Sequence, residues 1–199
     1  MRGCSVRPAD TVDGVGVSVD LDKWLADPRV RTVHRRAART DPLSLWRAAE
    51  TMRLSDAPSL GRIIRWRIEQ TPPDLAFSEL FRSYPFTLLA EGDQWSVSGL
   101  CGRIWTLARD YPRVDGPQEF AAWDQPGTVR VLFAHWVEGG DDGRSTLVSE
   151  ARVKPVDRWA DIRLRAMWAA VGRFERLIGA EALRVVTRRA EREHLGRGG

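Results

Sequence analysis

Apolar positions in the last quarter of the chain fall at Leu164, Met167, Trp168, Val171, Phe174, Ile178, Ala182 and Val185, in steps of three and four. That spacing draws one continuous stripe and predicts a single long helix over residues 157–193. A stripe of that length needs a large apolar surface to cover it. Upstream the period changes, and residues 144–153 read as a strand that runs straight into the helix. Over residues 94–101, Trp95, Val97, Gly99 and Cys101 share one face while Gln94, Ser96 and Ser98 share the other. This alternation predicts a half-buried strand, one face on the core and one in water.

Turn chemistry divides the rest. Glu91-Gly92-Asp93 predicts a hairpin between residues 86–90 and 94–101, and Asp124-Gln125-Pro126-Gly127 a turn between strands at 118–123 and 128–137. Residues 138–143 turn the chain into the last strand, residues 103–107 extend the sheet, and 111–117 form a loop. Residues 31–40 alternate in part and stop at Asp41-Pro42, where Asp caps a helix and Pro takes its first position. That helix carries Leu45, Trp46 and Ala49. A second covers residues 59–68 and ends before Pro72-Pro73, and a third, capped by Asp74, covers 74–81. The expected class is α+β, with five or six antiparallel strands in a curved sheet wrapped on a long C-terminal helix. Residues 1–28 form an N-terminal arm, partly flexible, with a short strand or helix near 21–26; residues 29–194 form one ligand-binding domain and 195–199 a disordered tail.

Composition narrows the partners. At 43% hydrophobic and 29% charged residues, the chain matches soluble globular proteins and neither disordered nor membrane ones. It has no apolar run near the roughly 20 residues that span a bilayer, and residues 1–8 lack the core of a signal peptide, so the cytosol is the expected compartment without membrane insertion. Cys4 and Cys101 have no metal-ligand spacing and make no disulfide framework. The net charge is +4, but the 31 basic residues are interleaved with 27 acidic ones. Without an aromatic-studded basic strand, nucleic acid is not an expected partner. The absence of a Gly-rich phosphate loop, a His/Cys cluster and a Gly-x-Ser-x-Gly elbow predicts no cofactor and no metal.

The order of elements, a strand, short helices, a meander and a terminal helix, resembles the START or helix-grip fold of the polyketide cyclase/SRPBCC superfamily. Asp41-Pro-Leu-Ser-Leu-Trp-Arg-Ala48, Arg53-Leu-Ser-Asp-Ala-Pro58, Gly99-Leu-Cys-Gly-Arg-Ile-Trp105, Phe120-Ala-Ala-Trp-Asp-Gln-Pro-Gly127, Ser149-Glu-Ala-Arg-Val153 and Phe174-Glu-Arg-Leu-Ile-Gly-Ala-Glu-Ala-Leu183 look like a bacterial branch of unassigned function. The likeness covers about residues 30–193. It departs where relatives have Thr-Glu-Thr-Arg-Val in place of Ser149-Glu-Ala-Arg-Val153, and a Pro where this chain has Val171-Gly172-Arg173. The resemblance implies a cavity between sheet and terminal helix that takes a hydrophobic small molecule, in proteins that are enzymes or carriers.

Nine Trp among 199 residues suit aromatic walls, since rings in contact contribute about 0.5–1.5 kcal/mol beyond area burial. Trp95, Trp105, Phe120 and Trp123 are expected to line such a cavity. Phe133, Leu164, Trp168 and Val171 are expected to join them. His135 shares a face with Val129, Val131, Phe133 and Val137, so it points inward as a candidate general acid or base. Glu150 and Arg152 lie two apart on one strand; on a concave face they would polarise or anchor a ligand, and on a convex face they would form a solvated ion pair. Three functions follow. One is a binder of an apolar, aromatic or polyketide-like molecule. The second is a cofactor-independent cyclase or dehydratase using His135, Glu150 and Arg152. The third is a protein-interaction module with an Arg-rich helix face. A monomer or homodimer is expected.

Overall fold

The computed structural model describes residues 19–68, 71–106, 111–140 and 142–197, apart from the side chains of 67, 171, 173–179 and 197. Its elements run α1 (Asp22–Leu25), β1 (Val30–Ala38), α2 (Pro42–Thr51), a 3-10 turn (Leu54–Asp56), α3 (Pro58–Arg67), α4 (Phe77–Leu80), β2 (Thr87–Gly92), β3 (Trp95–Gly102), α5 (Pro117–Ala122), β4 (Val129–Gly139), β5 (Ser145–Pro155) and α6 (Arg158–Arg197). The strands form one antiparallel sheet in the order β1-β5-β4-β3-β2, so the first strand closes beside the last. With α6 lying across the curved sheet, the α+β helix-grip architecture is as expected.

Local chemistry sets the starts of the helices. Asp41 is extended, at φ −72° and ψ 156°, and its Oδ1 accepts the Ser44 N–H at 2.9 Å while Pro42 takes the first helical position. Hydrogen bonds from the Ser44 side chain and backbone hold the Asp41 carboxyl below the usual carboxylate range. Asp41→Ala is therefore expected to lose about 1 kcal/mol of stability at pH 7 in urea unfolding. The stabilisation exists above the unfolded carboxyl pKa and fades as acid titrates the folded group, so the gap between wild type and variant should narrow at lower pH. Asp157 plays the same part for α6: it accepts Ala160 N–H at 2.8 Å and Gly127 N–H at 2.6 Å.

Two expectations about the meander are corrected. Residues 118–123 were expected as a strand and lie instead in and just after α5. Gly116 adopts φ 112°, Pro117 follows at the first helical position, and the helix is only six residues long, too short to display a helical period. Residues 103–106 do not extend the sheet either; β3 ends at Gly102 and a turn closes with Thr106 N–H to Arg103 O at 3.3 Å. Residue 107 lies outside the described residues, which contain five strands.

The sheet is covered on both sides, and this changes the reading of β3. On the concave side, Val129 and Val131 of β4 pack with Leu164 and Ala160 of α6, while Val137 and Leu147 pack with Leu183 and Val186. On the convex side, Leu132, Ala134, Trp136 and Val148 pack with Leu21, which caps α1, Leu25 of α1 and Phe120 of α5. Gly99 of β3 fits under Phe120 because a Cβ there would stand 2.6 Å from its ring. Ser98, expected in water, is buried on the opposite face. Of the expected arm, residues 1–18 lie outside the described residues, whereas 19–28 run along the convex face.

Candidate functional site

Strand register builds the floor of the site. Ser96 of β3 pairs with His135 of β4, His135 with Ser149 of β5, and Ser149 with His34 of β1. Facing residues in an antiparallel sheet share a side, so these four form a polar row across the concave face. Above Ser96, His135 and Ser149, the chain closes a pocket with Trp46 of α2 and Met52 just after it, Phe77 and Phe81 around α4, and Leu183 and Val186 of α6. Free space inside is about 40 Å³. On that measure one water needs about 10–15 Å³, so the pocket as folded holds roughly three waters. A ring-sized guest requires the α4 or α6 wall to shift outward.

The rim carries charge. Arg82 directs Nε and Nη2 to Glu91 Oε2 at 3.1 and 2.6 Å, and its Nη2 lies 3.9 Å from Glu50 Oε1. Ser78 Oγ donates to the Glu50 carbonyl oxygen at 2.9 Å, tying α4 to the end of α2.

His135 was expected to point inward, and it lines this pocket. Its ring lies against Phe77 and Phe81, with centroids 5.3 and 4.8 Å away. The Nε2 atom is buried without a hydrogen-bond partner. Burial among these rings pushes the His135 pKa down from 6.5 to about 4, because a charged imidazole there loses its hydration. The neutral ring carries one N–H and one lone pair, so it can donate or accept one bond to a guest.

The other expected site residues are dispersed. Phe133, Trp105 and Leu164 do lie on the concave side, but they pack together with Val131 and Val153 beneath the first half of α6. Phe133 reaches the pocket wall only through Phe81, at a centroid distance of 5.3 Å. Trp168 lies back along its own helix, its Nε1 3.0 Å from where a Cβ on Gly172 would sit. The side chain of Val171 lies outside the described residues. Trp95, Phe120 and Trp123 belong to the convex cluster, with the sheet between them and His135.

Glu150 and Arg152 are also convex. Ser149 pairs with His135 and faces inward, so its neighbours at 150 and 152 must face outward. They are nonetheless buried, at 2% and 7% exposure, so the pair is neither a ligand anchor nor a solvated bridge. Arg152 donates to Glu150 Oε1 at 2.6 Å, to Asp22, and to the Leu25 carbonyl oxygen at 3.0 Å. Arg31 grips the other side of Glu150 at 2.8 and 3.0 Å. Burial alone would raise the Glu150 carboxyl, but the hydrogen bonds from Arg31 and Arg152 outweigh it and hold the group below its usual range. The network bolts α1 to the sheet.

Among the described residues, no group of three or more His, Cys, Asp or Glu side chains is placed to hold a metal, and no helix is long and apolar enough to cross a membrane. No family model matches the chain, and no curated protein matches it by sequence. Solved structures do align with it. The Zhui aromatase/cyclase from Streptomyces sp. R1128 aligns at TM-score 0.36 and 15% identity over 85% of this chain and 98% of its own. A hypothetical protein of Helicobacter pylori aligns at TM-score 0.39 and 10% identity over 94% and 99%. A Thermus thermophilus protein aligns at TM-score 0.30 and 8% identity over 85% and 100%. At these values no activity passes from those proteins to this chain.

Proposed function

We propose that the chain is a member of the SRPBCC superfamily that binds a small, mostly apolar molecule in the pocket between the concave sheet, α2, α4 and α6. The single observation behind this is His135, whose Nε2 is buried without a hydrogen-bond partner among the described residues, on a floor shared with Ser96 and Ser149 and walled by Trp46, Met52, Phe77, Phe81 and Leu183. A buried polar atom without a bond costs about 1–3 kcal/mol, and a guest with one hydroxyl, carbonyl or amine would offset that cost. Binding is favoured over catalysis for two reasons. A histidine with a pKa near 4 is a weak base at neutral pH. Glu150 and Arg152, the other groups a cyclase or dehydratase was expected to use, lie across the sheet. The compartment proposed is the cytosol.

Native mass spectrometry of the purified protein is expected to show a retained small molecule, whose mass names the ligand. His135→Leu, which removes the polar floor while keeping bulk, is expected to weaken retention about tenfold. A wild-type protein that retains no small molecule, or a variant that retains it as well as the wild type does, would overturn the proposal.

A further inference from the structure

The pocket rim carries one carboxylate, Glu50, and one guanidinium, Arg82. Glu50 lies in the last turn of α2, where the helix carbonyls point their negative ends outward and the turn itself carries no basic residue. Its carboxylate stands 3.9 Å from Arg82 Nη2, outside hydrogen-bond distance. Arg82 is already matched, since both of its contacting nitrogens turn to Glu91. Arg189 reaches the same helix end, with Nη1 3.5 Å from Thr51 O, but it is itself paired with Glu193 at 2.9 Å. Glu91, behind Arg82 and outside the pocket lining, makes two carboxylates to one guanidinium in this cluster, a net negative charge beside the rim. Beneath it, His135 is neutral at pH 7 and adds no opposing charge. Trp46, Phe77 and Phe81 line the walls, and aromatic rings attract a cation placed over their faces.

Given the binding function proposed above, on which this rests, we propose that Glu50 is the specificity-determining residue of the pocket and that it selects an apolar ligand carrying a protonated amine. The apolar body lies among Trp46, Met52 and Leu183, and the ammonium group sits at the rim against Glu50 and the carbonyl end of α2. A matching alcohol keeps the apolar contacts without the charge attraction. A matching carboxylate meets repulsion from Glu50.

Benzylamine, benzyl alcohol and benzoate share one ring and differ in the head group, so they separate these effects. Chemical-shift titrations of the full chain at pH 7 and low salt are expected to give benzylamine an affinity about tenfold above benzoate, with the alcohol between them. Glu50→Gln should lower benzylamine affinity about three- to tenfold and leave the alcohol nearly unchanged. Glu91→Gln, which frees Arg82, should raise benzoate relative to benzylamine. Benzoate binding as tightly as benzylamine in the wild type, or an amine-to-alcohol ratio that Glu50→Gln does not move, overturns the amine preference while the binding function stands. Failure of all three probes to bind removes both.

Discussion

Arg152→Met should destabilise the protein by about 3–5 kcal/mol, the scale for removing one partner of a buried ion pair. Three bonds go at once: those to Glu150, to Asp22 and to the Leu25 carbonyl oxygen. Arg31 still holds both oxygens of Glu150, but from a side chain that is 57% exposed, and the hydrogen bonds to Asp22 and the Leu25 carbonyl oxygen are made by Arg152. The loss is directional as well as large. Arg152 holds both the first residue of α1 and the last, so α1 should come away before the sheet does. Hydrogen exchange at residues 21–26 is expected to accelerate well before global unfolding. Pairing the change with Glu150→Leu removes the buried carboxylate and should recover part of the deficit, the bonds to Asp22 and Leu25 staying lost. A double variant no more stable than Arg152→Met would contradict this account, as would unchanged protection of α1. A ligand-anchoring role for the pair predicts the reverse: weaker binding with α1 undisturbed.

Sequence periodicity made the scaffold readable because each long element presents many residues to one surface. The stripe from Leu164 to Val185 lies within α6, residues 144–153 match β5, and Asp41-Pro42 opens α2 with the cap the pattern called for. Short elements were harder. In α5, Gly116-Pro117 was a usable start signal, but six helical residues are too few to show a period, and the Pro126-Gly127 turn invited a hairpin with β4 instead. The inward side of β4 was also legible, since Val129, Val131, Phe133 and Val137 fix His135 by parity alone. For β5 parity was no help: Ser149 and Ala151 are as small as a core face allows, while Glu150 and Arg152 look like a solvent face and are buried. Only the pairing of His135 with Ser149 decides it. The Trp side chains scattered for a related reason. A sheet covered on both sides has two apolar interiors, and an aromatic residue suits either. Trp46 was legible on the helix after Asp41-Pro42, and Phe77 and Phe81 fell in the helix expected at 74–81; these and Met52 became pocket wall only through the crossing of α2, α4 and α6, a tertiary fact with no local signature.

Acid should unfold the wild type earlier than a variant lacking the pocket imidazole. The folded His135 pKa of about 4 lies below the ordinary 6.5, so between those values the unfolded chain takes up a proton that the folded chain refuses. Above about pH 7.5 both states are neutral there and the group has no effect. As pH falls through 6.5 the unfolded state gains, and the penalty levels off near pH 4 at about 3 kcal/mol, of which about 2 kcal/mol is present by pH 5. Carboxyls held low in the fold, Glu150 and Asp41 among them, act in the same direction only below their ordinary values of 4.5 and 3.8, so the interval from pH 7 to 5 isolates the histidine. Urea unfolding at pH 7.5, 6 and 5 is expected to show wild-type stability falling across the interval and His135→Leu holding nearly level. A guest that bonds the neutral ring favours the uncharged form further, so a bound ligand should deepen the wild-type slope and leave the variant's untouched. Parallel curves for the two proteins would place His135 in contact with water, where its buried nitrogen needs no guest at all.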